Sequence, residues 1–64
     1  GLIFYKHIIK NYKSSLNSGG MLALEIGFNQ SEAVKELFFE NGYLGIGSLQ
    51  DYSGNQRVVF GTVN

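Results

Sequence analysis

The stretch Met21-Leu22-Ala23-Leu24-Glu25-Ile26-Gly27-Phe28 is apolar on both faces of a period-two alternation. Leu22, Leu24, Ile26 and Phe28 lie on one face, Met21 and Ala23 on the other. A strand without a wet face belongs in the middle of a sheet that helices cover on both sides, and this implies an α/β fold. The flanking segments supply helices. From Leu2 to Leu16, Phe4, Ile8, Ile9, Tyr12 and Leu16 recur at spacings of three and four, with Lys6, Lys10 and Lys13 between them. That periodicity predicts an amphipathic helix, stopped by Asn17-Ser18-Gly19-Gly20, with lysines near the negative end of its dipole. After the strand, Asn29-Gln30-Ser31-Glu32 has the form of a capping box, with Asn29 as the cap and Glu32 reaching back to it. The helix it opens has Ala33, Val34, Leu37 and Phe38 as an inward stripe and Lys35, Glu36 and Glu40 as a wet side. Asn41-Gly42 is its stop, and Tyr43 is placed to pack back on its last turn.

Leu44 to Asp51 alternates Leu44, Ile46 and Ser48 against Gly45, Gly47 and Leu49, and Arg57 to Val63 carries Val58, Val59, Phe60, Thr62 and Val63. Tyr52-Ser53-Gly54-Asn55-Gln56 between them is turn chemistry, so the two strands form a hairpin. Helix, strand, helix, hairpin is how an α/β sheet is finished at one edge. A right-handed crossover makes the first two strands parallel, and the last runs antiparallel to both. Its continuous Val58-Val59-Phe60 suits an interior place, giving the spatial order first, third, second. With no repeat, low-complexity tract or linker, residues 1–64 read as one unit.

A domain of this length buries only about 60% of its unfolded-chain surface, so marginal stability is expected. Five basic and five acidic residues cancel without clustering, which removes the electrostatic case for direct nucleic-acid or anionic-membrane binding. There is no cysteine for a disulfide or thiolate site. The longest apolar run falls far below the roughly 20 residues of a spanning helix, and no signal peptide is evident at the start. These features fit a cytoplasmic protein.

Four stretches resemble a known family, the release-factor glutamine methyltransferases of the HemK type. Gly1-Leu2-Ile3-Phe4-Tyr5 resembles the Gly-Leu-x-Phe-Tyr opening of the helix before that family's fifth strand. Gly19-Gly20-Met21-Leu22-Ala23-Leu24-Glu25-Ile26-Gly27 is similar to its Gly-Gly-x-Leu-x-x-Glu-Ile-Gly strand, and Gln30-x-Glu32-Ala33-Val34 to the helix that follows. Asp51-Tyr52-x-Gly54-x-x-Arg57-Val58-Val59-x-Gly61 looks like its terminal hairpin. The resemblance covers the whole chain and implies the C-terminal part of a Rossmann-like methyltransferase sheet. The parent would move a methyl group from S-adenosylmethionine to the side-chain amide nitrogen of the glutamine in a Gly-Gly-Gln tripeptide of a peptide-chain release factor. An amide nitrogen is a poor nucleophile, so such catalysis rests on positioning and electrostatics. In the family an Asn-Pro-Pro-Tyr loop and a glycine-rich turn do this work. This chain has no proline, and no strand in it is followed by Asp/Glu-x-Gly-x-Gly. Gly45-Ile46-Gly47 has the glycine spacing but no helix after it, and reads as strand flexibility. No catalytic, cofactor-binding or metal-binding residue carries over, and the chain alone is expected to be inactive and to bind no S-adenosylmethionine.

Glu25 is the candidate at the edge of a pocket, because a carboxylate near the carboxyl end of a buried strand stands where open α/β sheets place ligands. The plainer reading is a carboxylate bonded to backbone for structural reasons. His7, with no second histidine and no cysteine, reads as solvated rather than as a metal ligand. Arg57 and Asp51 read as a pair closing the hairpin, and Tyr52 as an aromatic that either caps the core edge or packs beside a peptide. Phe39, just off the stripe that holds Phe38, suggests an apolar surface awaiting a cover. A strand that has lost its neighbour predicts self-association through its edge. Two other readings stand beside the fragment: an independent α/β interaction module that binds a peptide or its own copy along a strand edge, and a piece of another class I methyltransferase.

Overall fold

A computed structural model of the chain describes residues 2–15 and 19–63. The elements are α1 (Leu2–Tyr12), a short 3-10 turn (Lys13–Ser15), β1 (Met21–Glu25), α2 (Ser31–Glu40), β2 (Leu44–Gln50) and β3 (Gln56–Thr62). The sheet order is β1-β3-β2, with β3 antiparallel to both neighbours. The expected insertion of the last strand between the other two is thus what the chain does. β1 is shorter than Met21 to Phe28, ending at Glu25, and Phe28 lies in the following turn. Leu16, the last member of the expected α1 stripe, and Asn17-Ser18 of its stop lie outside the described residues.

Both helices serve one face of the sheet. Ile9, Ile26, Val34, Phe38, Tyr43, Val59 and Val63 form the core, with Tyr5, Leu22, Leu24, Leu37 and Ile46 packed against it. Each such side chain contributes about 1.5–3 kcal/mol when fully buried. Gly61 of β3 is the seat of α2: a Cβ there would stand 2.8 Å from Phe38 Cδ1 and 3.1 Å from Tyr43 Cβ. The absent side chain lets the Phe38 ring lie on the strand, where it meets Tyr43 edge to face with centroids 4.8 Å apart. The Tyr43 hydroxyl donates to the Ile9 carbonyl at 2.7 Å, tying α1 to the α2–β2 connection. Burial pushes the Tyr43 phenol above its usual value. Lys13 Nζ donates to the Asn41 carbonyl at 2.6 Å, so a lysine expected to serve the end of its own helix serves the carboxyl end of α2.

The α1 stripe is narrower than its periodicity predicts. Ile9 is buried and Ile8 half-buried, but Phe4 and Tyr12 are exposed, and Tyr5 takes the inward place. α1 packs chiefly on α2 rather than across the sheet, and one helix covers only a thin stripe of another.

The opposite face is bare among the described residues. Met21, Ala23 and Glu25 of β1 pair across to Thr62, Phe60 and Val58, which pair in turn with Leu44, Gly47 and Leu49 of β2. Met21 and Leu49 are each 58% exposed. The two-sided cover expected for the Met21 stretch is therefore only half supplied by the described residues, and β1 is an outer strand of the sheet they form. Gly47 lies under the Phe60 ring, whose Cζ would stand 2.7 Å from a Cβ at that position. Gly45, at φ +58, accompanies a register shift between Leu44 and Gly47. This glycine pair is a bulge and a seat for a ring rather than mere strand flexibility.

Candidate functional site

β1 and β2 run parallel, and their carboxyl ends lie beside the start of β3, because β3 runs the other way. Ligands of open α/β sheets bind at this end. Two loops meet there. In the first, the Ile26 N–H donates to the Arg57 carbonyl at 2.9 Å, extending the ladder beyond β1. The Gly27 N–H donates to Gln30 Oε1 at 2.8 Å, and the Gln30 N–H donates to the Gly27 carbonyl at 3.2 Å. Asn29 takes φ +67, a left-handed conformation that asparagine tolerates better than most residues. The expected capping box is corrected here. The N-cap is Gln30, with no side-chain cap bond, because Gln30 turns its amide back to Gly27 and Asn29 is spent on the turn. The first N–H groups of α2 therefore keep their donor capacity.

The second loop is organised by one carboxylate. Asp51 Oδ1 accepts from the N–H groups of Ser53 and Asn55, both at 2.9 Å, and Oδ2 accepts from Arg57 Nε at 2.8 Å. The hydrogen bond from Arg57, followed by that from Asn55, holds the Asp51 carboxyl below the usual carboxylate range. The Arg57–Asp51 pair closes the hairpin, as its position implied.

Between the loops lies a cleft of about 340 Å3, lined by Phe28, Asn29, Ser31, Glu32, Lys35, Gly54, Asn55 and Gln56. Its volume falls within the roughly 300–1,000 Å3 of ligand pockets. Phe28 stands 71% exposed at its wall. Sequence reasoning assigned Asn29 and Glu32 to a cap, Lys35 to a wet helix side and Gln56 to a turn. The available signal was that both Asn/Gln-bearing loops follow parallel strands and must emerge at the same end. Glu25 is exposed at the end of β1, shares the bare sheet face with Met21 and Ala23, and does not line the cleft. Tyr52 is fully exposed at the hairpin tip and caps nothing among the described residues. His7 is exposed on α1, and among the described residues no group of three histidine or carboxylate side chains could hold a metal ion. No helix among them is long and apolar enough to cross a membrane.

No protein-family model matches the chain. Curated proteins do. The chain is similar to a release factor glutamine methyltransferase of Salmonella typhimurium, 43% identical over 61 residues that cover 95% of this chain and 22% of that protein. It is 45% identical over 56 residues to one of Haemophilus influenzae, covering 88% and 19% respectively. A bifunctional methyltransferase of Rickettsia felis is 42% identical over 65 aligned positions, all of this chain and 12% of that protein. The chain thus spans about a fifth of the length of the glutamine methyltransferases it matches.

Proposed function

Because the chain belongs to the release factor glutamine methyltransferase family, we propose that residues 1–64 are the C-terminal segment of a methyltransferase catalytic domain and finish one edge of its Rossmann-like sheet. The parent, a cytoplasmic enzyme, methylates the Gly-Gly-Gln glutamine of a peptide-chain release factor, with S-adenosylmethionine supplying the methyl group. The observation that carries this reading is the bare face and outer edge of β1 in a chain so similar to those relatives. A strand apolar on both faces, covered on one, has the form of the boundary where the rest of a sheet and its second helix layer attach.

The residues of this chain do not fit the cofactor. Its one Gly-x-Gly pair, Gly45 and Gly47, lies inside β2 with the Phe60 ring against Gly47, which leaves no backbone cradle there for a nucleoside. On this reading the chain alone is inactive, and its contribution to the parent is to hold the carboxyl ends of β1 and β2 at fixed spacing and to present the two loops there. The test is methyl transfer by the purified full-length parent to an intact release factor, followed by mass spectrometry of the Gly-Gly-Gln peptide. Methylation of that glutamine is expected. A parent that leaves release factor untouched and methylates a small molecule or nucleic acid would overturn the reading and favour another class I methyltransferase.

A further inference from the structure

Asn41 is the only asparagine of the chain that precedes a glycine. That pairing is chemically labile. The side-chain Cγ of an asparagine lies within reach of the next backbone nitrogen, and a glycine there has no Cβ to hinder the approach. In the reaction the Gly42 nitrogen gives its proton to solvent and attacks Asn41 Cγ. The new N–Cγ bond closes a five-membered ring, and Nδ2 takes up a proton and leaves as ammonia. Water, the only co-reactant, then adds to either ring carbonyl and breaks its bond to the nitrogen. Position 41 becomes aspartate, or isoaspartate with the main chain rerouted through the side-chain carbon.

The fold requires this reactive pair and also restrains it. Gly42 closes α2 at φ +80, a conformation that other residues rarely adopt. Its N–H donates to the Phe39 carbonyl at 3.0 Å, and the Tyr43 N–H donates to the Phe38 carbonyl at 3.1 Å, the paired bonds of a Schellman stop. The proton that must be lost is therefore committed. Asn41 Nδ2, the leaving group, donates to the Leu37 carbonyl at 2.8 Å, and Lys13 Nζ holds the Asn41 carbonyl at 2.6 Å. With ψ of Asn41 at 11°, the Gly42 nitrogen nearly eclipses the backbone nitrogen of Asn41, whereas ring closure needs it to eclipse Cβ. The rotation that would bring it there breaks the stop. Gly42 is exposed, so exclusion of water is not what restrains the pair.

Reaction would in turn remove the restraint. Aspartate cannot donate to the Leu37 carbonyl, and it adds negative charge at the negative end of a helix whose own last turn has no basic residue. Isoaspartate adds a carbon to the main chain before Gly42. That displaces Tyr43 from the register that sets its ring on Phe38 and its hydroxyl on the Ile9 carbonyl.

We propose that Asn41-Gly42 is a deamidation site that the stop of α2 keeps inert, so that opening of the stop sets when modification occurs. The restraining bonds are local to α2 and its contact with α1, and the inference stands apart from the function proposed above. The experiment holds the full-length parent for days in native buffer and, at the same pH and temperature, in guanidinium chloride, with circular dichroism confirming the folded and unfolded states. Trypsin releases the peptide from Glu36 to Arg57, and mass spectrometry with fragmentation follows Asn41 against Asn55, which precedes Gln56 and is the hindered control. In denaturant Asn41 is expected to convert while Asn55 keeps its amide. In the folded protein conversion is expected to be at least about tenfold slower, because the stop must open first. Hydrogen exchange of the Gly42 N–H measures that opening, and its protection is expected to match the slowing. A folded rate closer to the denatured rate than this would overturn the restraint. A slow folded rate beside an unprotected Gly42 N–H would also overturn it, by placing the restraint elsewhere. Loss of the Asn55 amide in denaturant as fast as that of Asn41 would overturn the site itself.

Discussion

One strand, β3, faces two different worlds. Toward the helices it presents Val59 and Gly61, with Val63 just past its end, all buried in the core that holds Phe38, Val34 and Tyr43. Toward the other side it presents Val58, Phe60 and Thr62, no less apolar in character, yet only half-buried beside the exposed Met21 and Leu49. Hydrophobicity is therefore shared between the faces, and packing is not. Core density is built where a helix lands, and on the other face apolar residues lie without a covering layer among the described residues. A lone surface leucine teaches nothing of the kind. A whole sheet face with its own ring seat at Gly47 does.

The sharpest way to break this contrast is at Phe38, which is fully buried where α2 meets β3. Phe38→Ala is expected to cost about 3–5 kcal/mol, comparable to all the stability that a core in so small a chain supplies, so circular dichroism at 25 °C should show an unfolded chain. Retention of a cooperative melt would mean that the helix-covered face is not the core. A smaller effect is expected at the helix seat. Gly61→Ala pushes a methyl into the Phe38 ring and should lower stability by about 1–3 kcal/mol in urea titration, since both neighbours are buried and cannot retreat. The smallest effect belongs to the bare face. Met21→Gln and Leu49→Gln should change the stability of the isolated chain by no more than about 0.5 kcal/mol. The same pair should weaken a concentration-dependent dimer that the outer edge of β1 and this face are expected to form, as measured by sedimentation. A well-folded monomer at high concentration in the unmodified chain would refute the association, and a large loss of stability in either variant would erase the distinction between the faces.

Much of the fold was legible in the sequence because its signals are local. The Asn41-Gly42 stop, the return of Tyr43 onto Phe38 and the Asp51–Arg57 closure each depend on residues a few positions apart, and each is present. The greater continuity of Val58-Val59-Phe60 over Leu44 to Asp51 was enough to place β3 between its neighbours. The failures are also physical. Asn29 looked like a cap because caps and left-handed turns draw on the same residue type, and only the path of the chain shows which role is filled. Phe4 and Tyr12 fell on the expected helical stripe but outside the strip that α2 covers. Apart from these, the cleft is lined by Asn29, Ser31, Lys35, Asn55 and Gln56, which carry no motif in common, and Glu25, noted as a carboxylate at a strand end, stands outside it as a proposal for the larger sheet.

The residues by themselves determined the order of the elements, the apolar character of both sides of the strands and the family likeness, since periodicity, turn chemistry and short motifs are written in contiguous positions. Tertiary structure alone decided which sheet face the helices would cover and which loop side chains would share a cleft. Both outcomes follow from long-range strand pairing, in which the antiparallel run of β3 brings residues 54–56 to the end of β1, and no local pattern encodes that meeting.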